Sequence, residues 1–172
     1  MSKIETKTCT RCEETKPVTE FLYNGNRRTN CNDCERIESS DRMRRYNKTL
    51  RGKASQALQS SRKWIKRNGY EVEDDLTLMD VIWTFTTAQG ECSYCGNVTE
   101  DYHMEHIVPL AKGGPNTFSN ITVACRSCNS SKSSHDLLQW RDFEEVGEVI
   151  EKMATRKGVS IKSVLEDMEP DE

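Results

Sequence analysis

The chain contains 172 residues, of which 34% are hydrophobic and 31% are charged, and its formal net charge is −3. This composition argues against a large apolar core. No stretch is long and apolar enough to span a bilayer, so we expect no membrane partner. Residues 1–5 lack the apolar run of a signal peptide, which predicts a cytoplasmic protein in a reducing environment.

The charges are unevenly distributed along the chain. Residues 36–70 carry eleven basic and two acidic side chains, a balance of +9, whereas residues 141–172 carry five basic and ten acidic ones, a balance of −5. A basic middle followed by an acidic tail indicates that only the middle segment faces a polyanion.

The eight cysteines form four CxxC pairs with none left over, namely Cys9/Cys12, Cys31/Cys34, Cys92/Cys95 and Cys125/Cys128. Two such pairs facing each other complete a tetrahedral zinc shell, so neighbouring pairs predict two structural Zn²⁺ sites without an open position for substrate. Disulfides or free thiols are the alternative, and a redox CxxC would need a thioredoxin-like βαβ unit that the pattern does not predict.

The first two predicted segments are a zinc module and a basic helical region. In residues 1–35 we expect Phe21 and Tyr23 to cover the metal site. Residues 36–75 are predicted to form one or two helices ending at Asn68-Gly69, because apolar residues recur at steps of three or four; the stripe comprises Met43, Tyr46, Leu50, Ala54, Ala57, Leu58, Ser61 and Ile65.

Basic side chains surround this stripe and are predicted to follow a phosphate backbone, the alternative being a solvated helix face. Their charges are nearly all of one sign, so they do not neutralise one another. The predicted nucleic-acid contacts in the segment are Arg42, Arg44, Arg45, Lys48, Arg51, Arg62, Lys63, Lys66 and Arg67.

The remaining residues predict a central core, 76–140, and acidic C-terminal helices, 141–172. A helix after Thr77 should bury Leu76, Met79, Val81, Ile82 and Phe85. A second apolar face comprises Phe143, Val146, Val149, Ile150 and Met153 and ends at Gly158. A short helix capped by Ser160 follows, and residues 169–172 are expected to fray. Trp64, Trp83 and Trp140 are interpreted as core or interface packing residues.

The run between the last two cysteine pairs predicts a strand over His103–Val108, a turn over Lys112–Asn116, a strand around Ile121 and Val123, and a helix starting at Cys125. The chain is therefore predicted to be α+β, built from small zinc-stabilised modules. The motifs of this run are Glu-His-Ile-Val-Pro-Leu at 105–110, Lys-Gly-Gly at 112–114, Asn-Ile at 120–121 and Cys-x-x-Cys-Asn-x-x-Lys at 125–132.

These motifs resemble the HNH, or ββα-metal, endonuclease family in their order and spacing. The resemblance implies a ββα-metal core with flanking helices, in which His106 is the general base and Asn120 holds the loop that fixes it. It also implies that Glu105 and Asn129 hold one catalytic Mg²⁺, for which Mn²⁺ should substitute. Arg126 and Lys132 are predicted to contact phosphate, with a solvated role as the alternative. The family usually has Asp at the position of Glu105.

The resemblance implies an enzyme that hydrolyses double-stranded DNA to 5′-phosphate and 3′-hydroxyl ends. The build is similar to phage HNH homing endonucleases and to compact HNH restriction enzymes, which implies the host cytosol if a phage encodes the chain. A restriction enzyme would require a homodimer, because a palindrome needs two equivalent sites. A non-catalytic zinc-dependent DNA-binding protein and a junction-resolving nuclease are the other interpretations.

Overall fold

The computed structural model describes residues 5–168, so the prediction of a frayed end at 169–172 lies outside the described residues. The chain divides into two compact units between Thr49 and Leu50. The predicted basic segment, 36–75, therefore contributes to both units. Helices and two-stranded antiparallel sheets occur together, which confirms the α+β prediction.

Residues 5–49 of the first unit form two small hairpins, a short 3-10 helix (Val18–Phe21) and one α-helix. Its strands are β1 (Thr6–Thr8), β2 (Thr15–Pro17), β3 (Leu22–Tyr23) and β4 (Asn26–Arg27), paired β1 with β2 and β3 with β4, and they precede α1 (Asn32–Lys48). The buried apolar cluster described here comprises Cys9, Phe21, Cys31 and Cys34. Phe21 covers the cysteines as predicted. The prediction for Tyr23 is wrong, because its ring is 56% exposed beneath the Arg28 guanidinium.

The predicted apolar stripe is buried only in its second half. On α1, Met43 and Tyr46 are exposed, and the helix ends where Thr49 adopts an extended backbone. On α2 (Leu50–Asn68), Ala54, Leu58 and Ser61 are buried. Periodicity marks an apolar face but does not say whether another element covers it.

The helix α3 (Leu78–Ala88) begins as the sequence predicted. Thr77 and Asp80 cap it reciprocally, each side chain accepting a hydrogen bond from the other residue's backbone N–H. Val81 and Phe85 join Leu76 in a core that α2 completes. Met79 is exposed on the outer face of the helix, so the prediction that it is buried is wrong.

The central hairpin pairs β5 (Tyr102–His106) with β6 (Ile121–Cys125), and α4 (Arg126–Lys132) follows directly. Tyr102 lies opposite Cys125, and His106 lies opposite Ile121. This is the predicted strand–loop–strand–helix order. The first strand ends at His106 rather than Val108, because the chain turns ahead of Pro109.

Three helices complete the second unit: α5 (Leu137–Trp140), α6 (Phe143–Lys157) and α7 (Ile161–Met168). The predicted face of α6 is buried against Ile107 and Ala124 of the central hairpin region, except that Phe143 is exposed. Gly158 ends α6 with a φ of +69°, and Ser160 caps the next helix, both as predicted. Within residues 5–168, no helix combines the length and apolarity needed to cross a membrane.

The three tryptophans occupy different environments. Trp140 packs edge-to-face on Tyr94, with ring centroids 5.0 Å apart. Trp64 and Trp83 are 44% and 62% exposed, so neither packs in a core, and an interface role for them stays a prediction.

Candidate active site

The eight cysteines form two clusters with the predicted pairing. In each cluster the four Sγ atoms lie within 4.8 Å of one another, and Cys12–Cys31 and Cys95–Cys125 are each separated by 3.9 Å. A tetrahedral zinc with Zn–S bonds of about 2.3 Å places its sulfurs about 3.8 Å apart. Both clusters therefore fit a four-coordinate metal, and four thiolates leave no coordination position for a substrate.

The second cluster joins the turn before β5 to the start of α4. Cys125 is the last residue of β6 and Cys128 lies in the first turn of α4. Between the other two cysteines, the Ser93 backbone N–H donates to the Val123 carbonyl at 2.9 Å, and the Ser93 hydroxyl lies 2.6 Å from that of Thr122. A metal at this cluster would therefore brace the hairpin against the helix that carries Asn129.

The loop between β5 and β6 is held by Asn120, which is fully buried. Its Nδ2 donates to the carbonyls of Val108 and Pro115 at 2.9 and 2.7 Å, and its Oδ1 accepts from the Val108 N–H at 2.8 Å. Gly114 permits the close approach, since a Cβ there would lie 2.1 Å from the Val108 carbonyl oxygen. These contacts fix the loop directly after His106.

Glu105 is nearly buried and forms an ion pair with Lys132. The Lys132 Nζ is 0% exposed and donates to Glu105 Oε1 at 2.7 Å and to the His106 carbonyl at 2.9 Å. Burial raises the pKa of Glu105, and the Lys132 charge opposes that rise. This position corrects the prediction for Lys132, because an ammonium buried in two internal contacts is not available to a DNA phosphate.

His106 is held by a chain of polar contacts that the sequence did not indicate. Its Nε2 lies 2.8 Å from Oδ1 of Asn116, whose Nδ2 donates to Asp74 at 2.8 Å. Arg62 completes the chain by pairing with Asp74 at 3.2 Å and donating to the Leu76 carbonyl. Burial lowers the pKa of His106, so the imidazole is neutral at neutral pH.

The chain of contacts also fixes the tautomer of His106. The Asn116 amide nitrogen is committed to Asp74, so the group facing the imidazole is an oxygen, which can only accept. Nε2 of His106 must then carry the proton, and Nδ1 is left as the basic nitrogen.

One open pocket of about 440 Å³ brings the predicted catalytic residues together. Glu105 and His106 reach it from β5, and Asn129 reaches it from α4. Asn120 supports the adjoining loop from its buried position. Three residues separated by up to 24 positions in sequence thus share one solvent-accessible cavity.

The predicted nucleic-acid contacts are otherwise on the surface: ten of the eleven are exposed, with Lys132 as the exception. Four lie on α1 in the first unit and five on α2 in the second, while Arg126 begins α4. Arg62 is exposed but is also engaged with Asp74.

The contacts of Asn116 and Asp74 and the buried state of Lys132 were not predicted from the sequence. Asn116 is fully buried, although it lies in a stretch with turn chemistry. Asp74 precedes it by 42 residues, and no local pattern connects the two positions. The Lys at the end of the Cys-x-x-Cys-Asn-x-x-Lys motif was the available signal for a role near Glu105.

This region is similar to a known protein family. A family model described as HNH endonuclease matches residues 92–135, which include the second cysteine cluster, both strands of the hairpin and α4. This segment is similar to the HNH endonuclease family, and we call residues 92–135 the HNH module. The HNH module begins at Cys92 and extends three residues past Lys132.

Relatives outside the family model are also similar to the chain. YoqL, a candidate HNH endonuclease from the SPbeta prophage of Bacillus subtilis, is 28% identical over 116 residues, covering 56% of this chain and 49% of YoqL. The Cas9 endonuclease of Corynebacterium diphtheriae is 31% identical over 91 residues, covering 49% of this chain and 8% of Cas9. The chain thus spans about half the length of YoqL and a small part of Cas9.

A similar solved structure is the Type II-C Cas9 of Actinomyces naeslundii, at 25% identity, covering 81% of this chain and 14% of that protein. The TM-score of 0.35 is too low to establish a common overall arrangement.

Proposed function

We propose that the protein is a metal-dependent DNA endonuclease that hydrolyses phosphodiester bonds with one catalytic metal ion. The observation that carries the proposal is the single pocket lined by Glu105, His106 and Asn129 within the HNH module. A pure DNA-binding protein has no use for a neutral histidine and a buried carboxylate at one cavity. One relative, YoqL, is named as prophage-derived, which supports the phage type over the restriction type.

In this proposal His106 acts as the general base. Its neutral imidazole can take a proton from a water molecule that attacks the phosphorus. Asn116 holds Nε2 protonated, so Nδ1 accepts that proton. The backbone on either side is fixed by the Lys132 contact to the His106 carbonyl and by the Asn120 contacts to Val108.

Glu105 and Asn129 would hold Mg²⁺ or Mn²⁺ through side-chain oxygens, which are the ligands these hard cations prefer. A carboxylate has two oxygens, so the Lys132 bond to Oε1 is compatible with a metal at Oε2. The bound ion would neutralise charge on the phosphate and the departing 3′ oxygen, yielding 5′-phosphate and 3′-hydroxyl ends. The four-cysteine clusters would hold Zn²⁺ in structural roles.

The exposed basic side chains of α1 and α2 would bind the phosphate backbone of double-stranded DNA. Contacts of this kind orient the duplex but do not select a sequence. Lys132 is excluded from this set by its burial. Its role in the proposal is to hold Glu105 and the His106 carbonyl in place.

Nicking of supercoiled plasmid tests the proposal. Wild-type protein should nick in Mg²⁺ or Mn²⁺ and stop when EDTA is added. His106→Ala should lose activity by about 10³-fold or more, the loss typical of removing a catalytic base that activates the nucleophile. His135→Ala is the matched control, because His135 lies beyond α4 and does not line the pocket.

Plasmid binding should be unchanged in His106→Ala, since the loss lies in chemistry. Nicking that survives His106→Ala contradicts the proposed mechanism. Tight binding without nicking in either metal favours a zinc-dependent DNA-binding protein instead.

A further inference from the structure

The pocket that holds the catalytic residues has a second, apolar part of its lining that the chemistry leaves unused. Alongside Glu105, His106 and Asn129, the lining includes Trp64, Met104, Pro109, Leu110 and Ala111. Charged phosphate and a metal ion gain nothing from apolar side chains. This part of the pocket therefore fits a different portion of the substrate.

Trp64 is the most unusual member of that lining. Its indole is 44% exposed on α2, which lies outside the family-matched residues 92–135. A large aromatic side chain left in solvent beside a functional cavity indicates a binding role rather than packing. The Arg67 guanidinium stacks on the ring at 4.5 Å, and Lys63 and Lys66 are exposed on the same helix.

We propose that Trp64 and the apolar lining form a nucleobase-binding subsite beside the scissile phosphate. The inference rests on the proposed nuclease function. Every phosphodiester in DNA joins two nucleosides, so a pocket that receives the phosphate also has a base within reach. An exposed indole offers a face for stacking any base, and Arg67 adds a cation next to it.

A base inside a duplex already stacks on its neighbours, so it can meet Trp64 only after leaving the stack. The subsite therefore implies a substrate class, namely DNA with an unpaired nucleotide at the cut. A single strand or a duplex with a one-nucleotide bulge should bind more tightly than the fully paired duplex. The apolar side chains of Met104, Pro109, Leu110 and Ala111 would surround the unpaired base while the phosphate faces Glu105 and His106.

Equilibrium binding in Ca²⁺ measures the subsite without requiring cleavage. The probes are a short mixed-sequence single strand, its fully paired duplex and the duplex with a one-nucleotide bulge. Trp64→Ala should raise the Kd for the single strand and the bulged duplex by about tenfold, and Trp64→Phe should recover most of that loss, because stacking depends on an aromatic face. Trp83→Ala is the matched control, since Trp83 is more exposed and lies away from this pocket.

Tryptophan fluorescence locates the contact independently. Stacking should quench wild-type emission when the single strand is added, and the quench should persist in Trp83→Phe but disappear in Trp64→Phe. The proposal is overturned if Trp64→Ala binds the single strand as wild type does, or if the quench remains in Trp64→Phe.

The two proposals can fail separately. A Trp64-dependent quench in a protein that nicks no DNA supports the base subsite and contradicts the nuclease function. Nicking with no Trp64 dependence in either assay contradicts the subsite alone.

Discussion

The two cysteine clusters have the same ligands and the same CxxC spacing, but they lie in very different surroundings. In the first unit, the cysteines themselves make up most of the described buried cluster, and Phe21 is the one larger side chain in it. In the second unit, Cys92 and Cys128 lie at one side of a core that also contains Val146, Ile150 and other aliphatic residues. Identical cysteine motifs can therefore either supply most of the core of a small unit or align parts of a unit whose core is already packed.

Removing one cysteine from each cluster should have the largest effect and should differ between the units. Cys9→Ser should unfold the first unit, because zinc binding on the order of 10 kcal/mol exceeds what one buried phenyl ring supplies. Cys92→Ser should lose its metal and its nicking activity. The methyl NMR signals of Val146 and Ile150 should stay dispersed, because the core around them remains packed. Zinc content and two-dimensional NMR spectra of the full chain measure both effects.

The predicted difference between the two units is contradicted if Cys9→Ser retains dispersed amide signals for residues 5–49. It is also contradicted if Cys92→Ser loses the methyl signals of the second core. Loss of one zinc equivalent in each variant is the internal control that the intended site was emptied.

The buried ion pair between Lys132 and Glu105 allows a test of how much buried charge pairing contributes to the stability of the second unit. Lys132→Met leaves Glu105 without its partner in a nearly dry environment, which should destabilise the protein by about 3–5 kcal/mol in urea unfolding. Adding Glu105→Gln should restore much of that stability, because the uncompensated charge is gone. Lys162→Met removes one partner of an exposed pair with Glu166 and should change little.

A Lys132→Met protein as stable as wild type would show that this pair does not hold the hairpin to α4. The distinction matters because the same ammonium contacts the carbonyl of His106.

Two glycines test how tightly the loop of the HNH module is packed: Gly114 lies in the loop, and Gly147, in α6, is its control. Gly114→Ala forces a Cβ to within 2.1 Å of a backbone oxygen, which should cost about 1–3 kcal/mol. The three nearest contacts of a Cβ in Gly147→Ala all lie in the exposed Phe143 ring, the nearest at 3.3 Å, within a helix where Ala is favoured by up to about 1 kcal/mol. Thermal unfolding should therefore move Tm in opposite directions, and a stabilised Gly114→Ala would contradict the loop geometry.

Substitution of Asn116 should have the smallest effect of these changes, and the effect should be specific to His106. Asn116→Ala removes the partner of His106 Nε2, a loss of about 1 kcal/mol that should lower kcat by about tenfold or less while KM stays constant. The ring ¹⁵N shifts of His106 should report a mixture of tautomers in the variant. Asn97→Ala, at an exposed position, is the control. An equal loss in kcat and stability with unchanged ring shifts would assign Asn116 a structural role only.

Local features of the fold could be predicted from the sequence because their causes are local. The cap at Thr77, the helix end at Gly158 and the cap at Ser160 depend on residues within a few positions of one another. The cysteine pairing followed from spacing, because two CxxC turns are needed for each tetrahedral shell. The strand–loop–strand–helix order followed from the motifs of the HNH module.

Burial was harder to predict, because an apolar stripe does not reveal whether another element covers it. Met43, Met79 and Phe143 fit their stripes and are nevertheless exposed. The prediction for Lys132 was wrong in the opposite direction: it was expected at the surface and is buried. A charged side chain is expected at the surface unless it has a buried partner. Glu105 is that partner, and it lies 27 residues earlier in the chain.

The amino-acid sequence specifies which chemical groups are available: two sets of four thiolates, and a glutamate, a histidine and asparagines at the spacing of an HNH motif. What those groups contact depends on how the chain folds. Folding brings Asp74 and Asn116 to His106, buries Lys132 against Glu105 and leaves Trp64 beside the candidate catalytic pocket. Sequence patterns could not show these contacts, because hydrogen bonds and ion pairs act over a few ångströms in space, whereas the patterns report only neighbours along the chain.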